Sequence, residues 1–322
     1  MTHPASLARD PTDSDPRHFG PPSRANVPGC CRVLALDGGG TKGFQTLGVL
    51  QEIEATVGVP LGEHFHLIYG TSTGACTGAF LALGARVEHI VAFYRQHIPP
   101  VLQERTPAAK SAALQEFCRT AFGTQDFSAF CTHVGIVCTD WRREKPVVLK
   151  TGSSRPGLGC TIARAVRASC SAYPVFEASW IHLDGLGTRE LVDGSYCANN
   201  PVLFAIAEAI GGLAQPQASL KVISIGVGTY PAPVYHGLRG LLHLLKGVSV
   251  LQKTFGINTE SMEQLRQDLF PAVAAVRIDD HFGQHGVAVD FIESDVRKFD
   301  LLFQCGQSSF ARHEKALRLM LA

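Results

Sequence analysis

Two short apolar runs in this 322-residue chain each stop at a glycine-rich turn, and helical residue spacing follows each turn. The first run, Val33–Leu36, meets Asp37–Gly43, and the second, His66–Tyr69, meets Gly70–Gly74. Short apolar runs bounded by glycine are typical of buried strands, and the spacing after them is typical of amphipathic helices. This repeated order predicts an α/β fold with a mostly parallel central sheet that helices cover on both faces.

The rest of the chain continues the alternation. Leu220–Ile225 is a further buried strand, and Pro99 and Pro100 are predicted to break a long helical region. Residues 1–28 are rich in Pro, Asp, Ser and Arg without apolar periodicity, so we expect a disordered or loosely attached leader. Residues 29–322 contain no internal repeat and no clear linker, and we expect them to form one domain.

The composition limits the classes of function. Hydrophobic residues make up 45% of the chain, and the net charge of +1 gives no reason to expect nucleic acid as a partner. The ten cysteines form no C-x-x-C pair, so we expect free thiols, no bound metal and a reducing cytoplasm. We find no signal-peptide pattern and no apolar run of the ~18 residues that span a membrane, so contact with lipid would be peripheral.

The turn Asp37–Gly43 has two physical interpretations. Gly38, Gly40 and Gly43 satisfy the G-x-G-x-x-G pattern of a dinucleotide-binding turn, although no acidic residue is clearly placed about 20 positions later. Consecutive glycines before a helix also leave backbone N–H groups uncovered, so that an anion can approach them closely. That anion is a phosphate in a nucleotide-binding module and an oxyanion in an acyl-transfer enzyme.

The turn Gly70–Gly74 carries Ser72 in a G-x-S-x-G pattern between a strand and a helix. This is the setting of a nucleophile elbow, in which small neighbours allow a tight turn that lifts the hydroxyl above the sheet edge. The alternative is a serine that only caps the following helix. The strand-to-helix setting favours the nucleophile, and hence an enzyme that transfers acyl groups.

A serine nucleophile needs a base, and the sequence offers two kinds. Histidine is the usual base, but none of the histidines that follow Ser72 stands in a context that singles it out. Asp193 precedes Gly194 at a strand end, and a desolvated carboxylate can take a hydroxyl proton directly from within hydrogen-bond distance. Asp193 is therefore the alternative base, and an ordinary turn aspartate is the competing interpretation.

Together, the two turns and the pair Asp193-Gly194 resemble the patatin-like phospholipases. That family combines a D-G-G-G-x-[KR]-G turn, a G-x-S-x-G elbow and a later D-G-[GA], and Ser195 stands here where the family usually has Gly or Ala. The resemblance covers about residues 32–228 with the motifs in the expected order. It implies a three-layer α/β/α sandwich, with residues 230–322 as a C-terminal helical extension.

The resemblance also implies roles for individual residues. Ser72 would be the nucleophile and Asp193 the base of a Ser–Asp dyad that needs no histidine, metal or cofactor. Lys42 would add positive charge near an oxyanion hole formed by backbone amides. The implied reaction is hydrolysis of glycerolipid esters at a phospholipid membrane surface through an acyl-enzyme. The oxyanion hole is assigned to Gly38, Gly39 and Gly40, and support of the turns to Gly43, Gly70, Gly74 and Gly194.

Short bacterial chains of this family also resemble effectors of cyclic-nucleotide anti-phage systems, in which a signal nucleotide switches on membrane degradation. That resemblance implies a cyclic-nucleotide activator. Two hypotheses compete with the hydrolase: a nucleotide-binding module built on Gly38, Gly40 and Gly43, and a catalytically silent scaffold. The leucine-rich residues 230–255 are a candidate membrane-contact segment, with a buried helix as the alternative. The motifs are compatible with a monomer or an oligomer.

Overall fold

A computed structural model describes residues 29–152, 156–231, 247–283 and 288–322 of the chain. The predicted leader, residues 1–28, and most of the leucine-rich candidate membrane segment lie outside the described residues. Across those four described ranges, eight strands form one sheet, and none of the helices is both long and apolar enough to cross a membrane. The alternation of strands and helices that the sequence predicts is confirmed.

The elements follow one another in the order expected of an α/β fold. The strands are β1 Cys31–Leu36, β2 Leu67–Thr71, β3 His133–Asp140, β4 Lys145–Lys150, β5 Ser179–Leu183, β6 Gly187–Asp193, β7 Leu220–Ile225 and β8 Ala274–Ile278. The helices are α1 Gly43–Val57, α2 Leu61–His64, α3 Thr73–Ala82, α4 Val87–Gln103, α5 Pro107–Phe122, α6 Ile162–Ser169, α7 Ser195–Ala198, α8 Val202–Ala207, α9 Val248–Leu269 and α10 Val296–Leu321.

The sheet has the order β5-β6-β3-β2-β1-β7-β8, and β4 pairs with β3 beside this path. Strands β3, β2, β1, β7 and β8 are parallel, whereas β4 and β6 pair antiparallel with β3. Leu34 and Leu36 of β1 belong to the core on one face, and Val33 and Ala35 to the core on the other. Helices cover both faces, as a parallel sheet requires, and the predicted three-layer arrangement is confirmed.

The C-terminal helix α10 packs directly on α1. A Cβ atom added to Gly306 would lie 2.0 Å from the carbonyl oxygen of Gln45, so the two backbones touch where only a glycine leaves room. The side-chain amide of Gln45 also donates a hydrogen bond to Ser309 Oγ at 3.4 Å. The single domain expected for residues 29–322 stays a prediction, and this packing supports it.

The predicted helix break at Pro99 and Pro100 is wrong, because α4 continues through both prolines to Gln103. Proline removes a backbone hydrogen bond and crowds the preceding turn of a helix. Here the affected turn is close to the end of α4, and Pro99 and Val101 are buried in the core beside it. Tertiary packing of the last turn therefore outweighs the helix-breaking preference of proline. The sequence pattern shows that local preference but not the packing.

A buried ion-pair network ties the end of β1 to β7 and β8. The guanidinium of Arg277 donates to both carboxylate oxygens of Asp37, at 2.8 and 2.6 Å, and to Asp279 at 2.6 Å. It also donates to Ser224 Oγ at 2.8 Å. The two carboxylates raise the pKa of Arg277 further above its usual value, against the effect of burial. Since Asp37 begins the first glycine turn, this network fixes the turn to the sheet.

We predict that Arg277→Ala lowers the free energy of unfolding by about 3–5 kcal/mol, because it leaves the buried carboxylate of Asp37 and the partly buried carboxylate of Asp279 without their cation. Urea unfolding monitored by circular dichroism measures the change. The control is Arg119→Ala, which removes an exposed Arg119–Glu116 pair on α5 and should leave the midpoint unchanged. Equal midpoints for Arg277→Ala and the parent chain would contradict the structural role of the network.

Candidate active site

Ser72 lies between β2 and α3 in a strained backbone conformation, with φ 54° and ψ −124°. Residues with a side chain rarely adopt positive φ, and such strain is typical of functional positions. The turn is possible because its flanks are glycines: a Cβ on Gly70 would lie 2.4 Å from the carbonyl oxygen of Gly74. A Cβ on Gly74 would lie 2.2 Å from the carbonyl oxygen of Leu36 in β1. The sequence pattern therefore reflects close backbone contact on both sides of the serine.

The hydroxyl of Ser72 donates a hydrogen bond of 2.7 Å to Oδ2 of Asp193. The other carboxylate oxygen, Oδ1, accepts the backbone N–H of Ser195 at 2.8 Å, which fixes the orientation of the carboxylate. Asp193 is only 1% exposed. Burial raises the pKa of Asp193 to about 6, although the hydrogen bonds from Ser195 and Ser72 oppose the shift. A carboxylate with a raised pKa, in contact with a serine hydroxyl, can act as a general base near neutral pH.

The sheet register explains how these two residues meet across 121 positions of sequence. Strand β2 pairs with β3 as far as Thr71 opposite Val137, and β4 occupies the other edge of β3. Strand β6 runs antiparallel to β3 and pairs with the edge of β3 that β2 occupies, just beyond the end of β2. Asp193 there lies opposite Cys138. The carboxyl ends of β2 and β6 therefore meet head to head, and the residue after Thr71 contacts the last residue of β6.

The first glycine turn lies against Ser72 and offers two uncommitted amides. A Cβ on Gly38 would lie 3.1 Å from Cβ of Ser72. The backbone N–H of Gly38 donates to the carbonyl oxygen of Asn199 at 3.0 Å. Among the described residues, no protein acceptor bonds to the N–H groups of Gly39 or Gly40. Gly40 has φ 56°, and a Cβ there would lie 2.0 Å from the carbonyl oxygen of Phe291. Glycine is therefore required for both the shape and the close packing of the turn.

A cavity opens above Ser72 and Asp193, and we name it the serine cavity. Its polar lining includes Gly39, Gly40, Thr41, Ser72, Thr73, Asp193 and Ser195, and its apolar lining includes Cys76, Tyr94, Ile98, Val101, Leu102, Leu114, Phe117, Cys170, Ala172, Phe176, Phe255, Phe291 and Ile292. Such a lining suits a hydrocarbon chain next to a reacting carbonyl group. Sequence reasoning missed the apolar residues, because their periodicity on α4 and α5 is the same as that of ordinary core helices.

Lys42 lines a different cavity, which we name the lysine cavity. Burial lowers the pKa of Lys42, while the carboxylates of Asp279, Asp290 and Asp37 act in the opposite direction. The lysine cavity adjoins the serine cavity at Gly39, Phe255 and Phe291, and its remaining lining is mainly polar. Lys42 thus lines the lysine cavity and not the serine cavity, and its role as a positive charge near the oxyanion hole stays a prediction.

No described histidine lines the serine cavity or bonds to Ser72 or Asp193. Of the histidines weighed as bases, His236, His243 and His285 lie outside the described residues. Within the described part of the chain, no three His, Cys, Asp or Glu side chains are grouped closely enough to hold a metal ion. The arrangement around Ser72 is therefore a serine–carboxylate pair, which can perform acyl transfer when backbone amides stabilise the oxyanion.

Gly194 sets the position of Asp193, and we predict that Gly194→Ala disrupts the pair. Gly194 has φ −65° and ψ −17°, which alanine adopts freely, but the added Cβ would lie 2.3 Å from the carbonyl oxygen of Val137. To relieve this contact the backbone must shift and move Asp193, which should slow labelling of Ser72 by a fluorophosphonate about 100-fold. Gly211→Ala, where nothing lies within 4 Å of the new Cβ, is the control and should label normally. Normal labelling of Gly194→Ala would show that the contact is not needed.

Comparison with known proteins agrees with this geometry. The family model described as "Patatin-like phospholipase" matches residues 34–206. A cUMP-AMP-activated phospholipase of Escherichia coli is 45% identical over 90% of this chain and 94% of its own length. A cGAMP-activated phospholipase of Vibrio cholerae is 26% identical over 65% of this chain and 67% of its own length. Phospholipase A I of Arabidopsis thaliana is 40% identical over 78% of this chain but only 25% of its own length. The chain therefore belongs to the patatin-like phospholipase family, whose members are lipid acyl hydrolases.

Proposed function

We propose that this chain hydrolyses the fatty-acid esters of glycerophospholipids at a membrane surface, from the cytoplasm, with Ser72 as nucleophile and Asp193 as base. One observation carries the proposal: the 2.7 Å hydrogen bond from Ser72 Oγ to the buried Asp193 carboxylate, at one end of an apolar cavity. The cavity accommodates the acyl chain, and the ester carbonyl lies next to Ser72.

The reaction proceeds in two halves. Asp193 accepts the hydroxyl proton while Ser72 Oγ attacks the ester carbonyl carbon, and the resulting tetrahedral intermediate collapses to an acyl-enzyme. The proton on Asp193 passes to the leaving alkoxide oxygen of the lysophospholipid. Asp193 then removes a proton from water, whose oxygen attacks the acyl carbon. As the bond from the acyl carbon to Ser72 Oγ breaks, Asp193 returns this proton to Oγ and the fatty acid is released.

We assign the oxyanion hole to the turn Gly38–Gly40, with the N–H groups of Gly39 and Gly40 as its donors. Both line the serine cavity, whereas the N–H of Gly38 is bonded to Asn199. Fixed amides in a partly dehydrated site stabilise the developing negative charge without reorganisation of solvent. Gly38 supports the hole through its close contact with Ser72, and Gly43, Gly70, Gly74 and Gly194 support the turns on which the two reacting side chains lie.

We predict that Ser72→Ala and Asp193→Asn each lower hydrolysis by at least about a thousandfold, and that the double variant is no slower, because the two residues act as a unit. In the parent chain, kcat/KM for a soluble short-chain ester should rise with pH through about 6 and then level off, since Asp193 must be ionised to accept the proton. A stopped assay of released fatty acid and a pH series measure both effects. The control is Asp268→Asn, an exposed aspartate on α9. Full activity in either single variant would refute the dyad.

We further propose that a cyclic dinucleotide activates the enzyme by binding in the lysine cavity. The two bacterial relatives described above are activated by cUMP-AMP and cGAMP, according to their names. The lysine cavity offers the cations Lys42 and Lys253 for phosphates. It also offers the carboxylates of Asp279 and Glu260, which accept hydrogen bonds from base amino groups and ribose hydroxyls.

The contacts of Asn199 connect this cavity to the oxyanion turn. Asn199 Nδ2 donates to the carbonyl oxygen of Gly38 at 3.2 Å and to Thr259 Oγ1 of helix α9 at 2.7 Å. Asn258, the residue before Thr259 on α9, accepts a 2.7 Å hydrogen bond through Oδ1 from the backbone N–H of Asn199. A ligand that displaces α9 therefore changes the bonds that hold Gly38. This coupling supports activation through the oxyanion hole and requires no new catalytic residue.

We predict that Lys253→Ala weakens binding of cUMP-AMP about tenfold or more by calorimetry, with basal hydrolysis unchanged, because a charged phosphate contact is lost. Asn258→Ala should bind the nucleotide normally but respond to it weakly, since the link to Asn199 is broken. Lys315→Ala, an exposed lysine on α10, is the control for charge. Unchanged affinity of Lys253→Ala would place the activator elsewhere.

A further inference from the structure

We infer that an exposed surface beside the serine cavity docks the enzyme on bilayers that contain anionic lipid. This surface, which we name the aromatic face, consists of Trp141, Arg142, Tyr173 and Trp180. The inference rests on the proposed phospholipid substrate and names the surface by which the chain reaches it. It differs from the leucine-rich segment that the sequence analysis suggested.

The aromatic face is unusual because large aromatic side chains are exposed together. Trp141 is 41% exposed, Tyr173 46% and Trp180 50%, and the two tryptophans are the only ones in the chain. Indole rings are usually well buried in the core of a water-soluble protein, whereas at a membrane they lie at the level of the lipid head groups. Two indole rings and a phenol ring exposed on one surface therefore indicate a place where the protein meets an interface.

Direct contacts hold the aromatic face together. The rings of Trp141 and Tyr173 lie 5.8 Å apart, and the guanidinium of Arg142 lies 4.6 Å from the ring centre of Trp180. Arg142 is fixed by a 2.8 Å hydrogen bond to Glu190, whose carbonyl oxygen accepts the backbone N–H of Trp141. The four side chains come from the turn after β3, from the loop after α6 and from β5, so three separate segments of the chain meet at this surface.

A continuous path of aromatic rings leads from this face to the serine cavity. Trp141 lies 5.2 Å from Tyr196, Tyr196 lies 5.3 Å from Phe255, and Phe255 lies 6.4 Å from Phe291. Phe255 and Phe291 line the cavity. Tyr196 also donates a hydrogen bond to the carbonyl oxygen of Tyr173. These ring contacts connect the aromatic face to the wall of the serine cavity, so a bilayer beneath that face lies near the site of Ser72.

The charge around the aromatic face fits anionic lipid. The turn between β3 and β4 exposes Arg142 and Arg143, with Glu144 as its one exposed acid, and β4 begins with the exposed Lys145. The neighbouring carboxylate of Asp140 is 2% exposed and is paired with Arg143 and Arg189. Lysine and arginine beside aromatic rings are attracted to negatively charged head groups while the rings enter the interface. Exposed indole rings next to cations match the head-group region of an anionic bilayer, so a bilayer is the occupant that the chemistry favours.

Tryptophan fluorescence of the Ser72→Ala variant tests the inference, because both reporters lie on the aromatic face. We expect a blue shift and quenching by brominated lipid on vesicles of phosphatidylcholine with phosphatidylglycerol, and a weaker response on phosphatidylcholine alone. The measurements are made with and without cUMP-AMP. In the catalytically competent chain, Trp141→Ala and Trp180→Ala should each reduce vesicle hydrolysis about tenfold but leave hydrolysis of a soluble ester unchanged. Leu319→Ala, which removes another exposed apolar side chain, is the matched control.

Lys145→Glu separates the contribution of charge, since it should remove the preference for phosphatidylglycerol without changing the folded structure. The inference is overturned if the tryptophans do not respond to vesicles in either nucleotide condition, or if Trp141→Ala and Trp180→Ala hydrolyse vesicles like the parent chain. It is also overturned if dilution series show that the rings are buried by self-association without lipid. Failure of the proposed function gives a different result, namely loss of soluble-ester hydrolysis and of Ser72 labelling in the parent chain.

Discussion

Close contact between backbones at the carboxyl edge of the sheet is the constraint on which the whole site depends. Gly74 packs against the end of β1, Gly194 against β3, and Gly38 against the Ser195 and Asn199 side chains beside Ser72, each at a distance that a Cβ atom would not allow. Because peptide groups approach one another this closely, a serine, a carboxylate and two uncovered amides fit within one small region. The glycines do not react, but each one determines where a reacting atom lies.

Asp193 shows how function and stability oppose each other in this fold. Burial raises its pKa to about 6, so the folded state holds a proton more tightly than the unfolded chain, whose aspartates titrate near about 3.9. The ionised carboxylate therefore destabilises the fold above that range, and the destabilisation disappears as the pH falls and Asp193 is protonated. The same burial gives the carboxylate enough basicity to act on Ser72. The Arg277–Asp37 network and the apolar core supply stability elsewhere.

The turn Gly38–Gly40 lines two cavities, and this connects its two interpretations, a nucleotide-binding turn and an oxyanion hole. On one side Gly39 and Gly40 face Ser72, and on the other side Gly38 and Gly39 line a polar cavity beside Lys42. Under our proposals the turn stabilises an oxyanion and also responds to a nucleotide through Asn199. The G-x-G-x-x-G pattern of a dinucleotide-binding turn and a role in hydrolysis are then compatible, since uncovered amides at the start of a helix can bind a phosphate or an oxyanion.

The sequence was sufficient for the features that depend on local structure. The strands β1, β2 and β7, the elbow at Ser72 and the pairing of Ser72 with Asp193 followed from apolar runs, glycine spacing and the family resemblance. These succeed because a tight turn restricts which residues can occupy it, and the restriction is visible in the sequence itself. The prolines of α4 show the limit of local rules, since burial of the last turn overrides them.

Long-range packing decided everything else. Only the sheet register shows that β6 is antiparallel and meets β2 end to end, which is why Asp193 reaches Ser72. Only the assembled fold brings Lys42 into the lining of the lysine cavity, bonds the Gly38 amide to Asn199, and collects Trp141 and Trp180 on one exposed face. The physical reason is that each of these contacts joins residues far apart in the chain, and no local preference of either partner specifies the other.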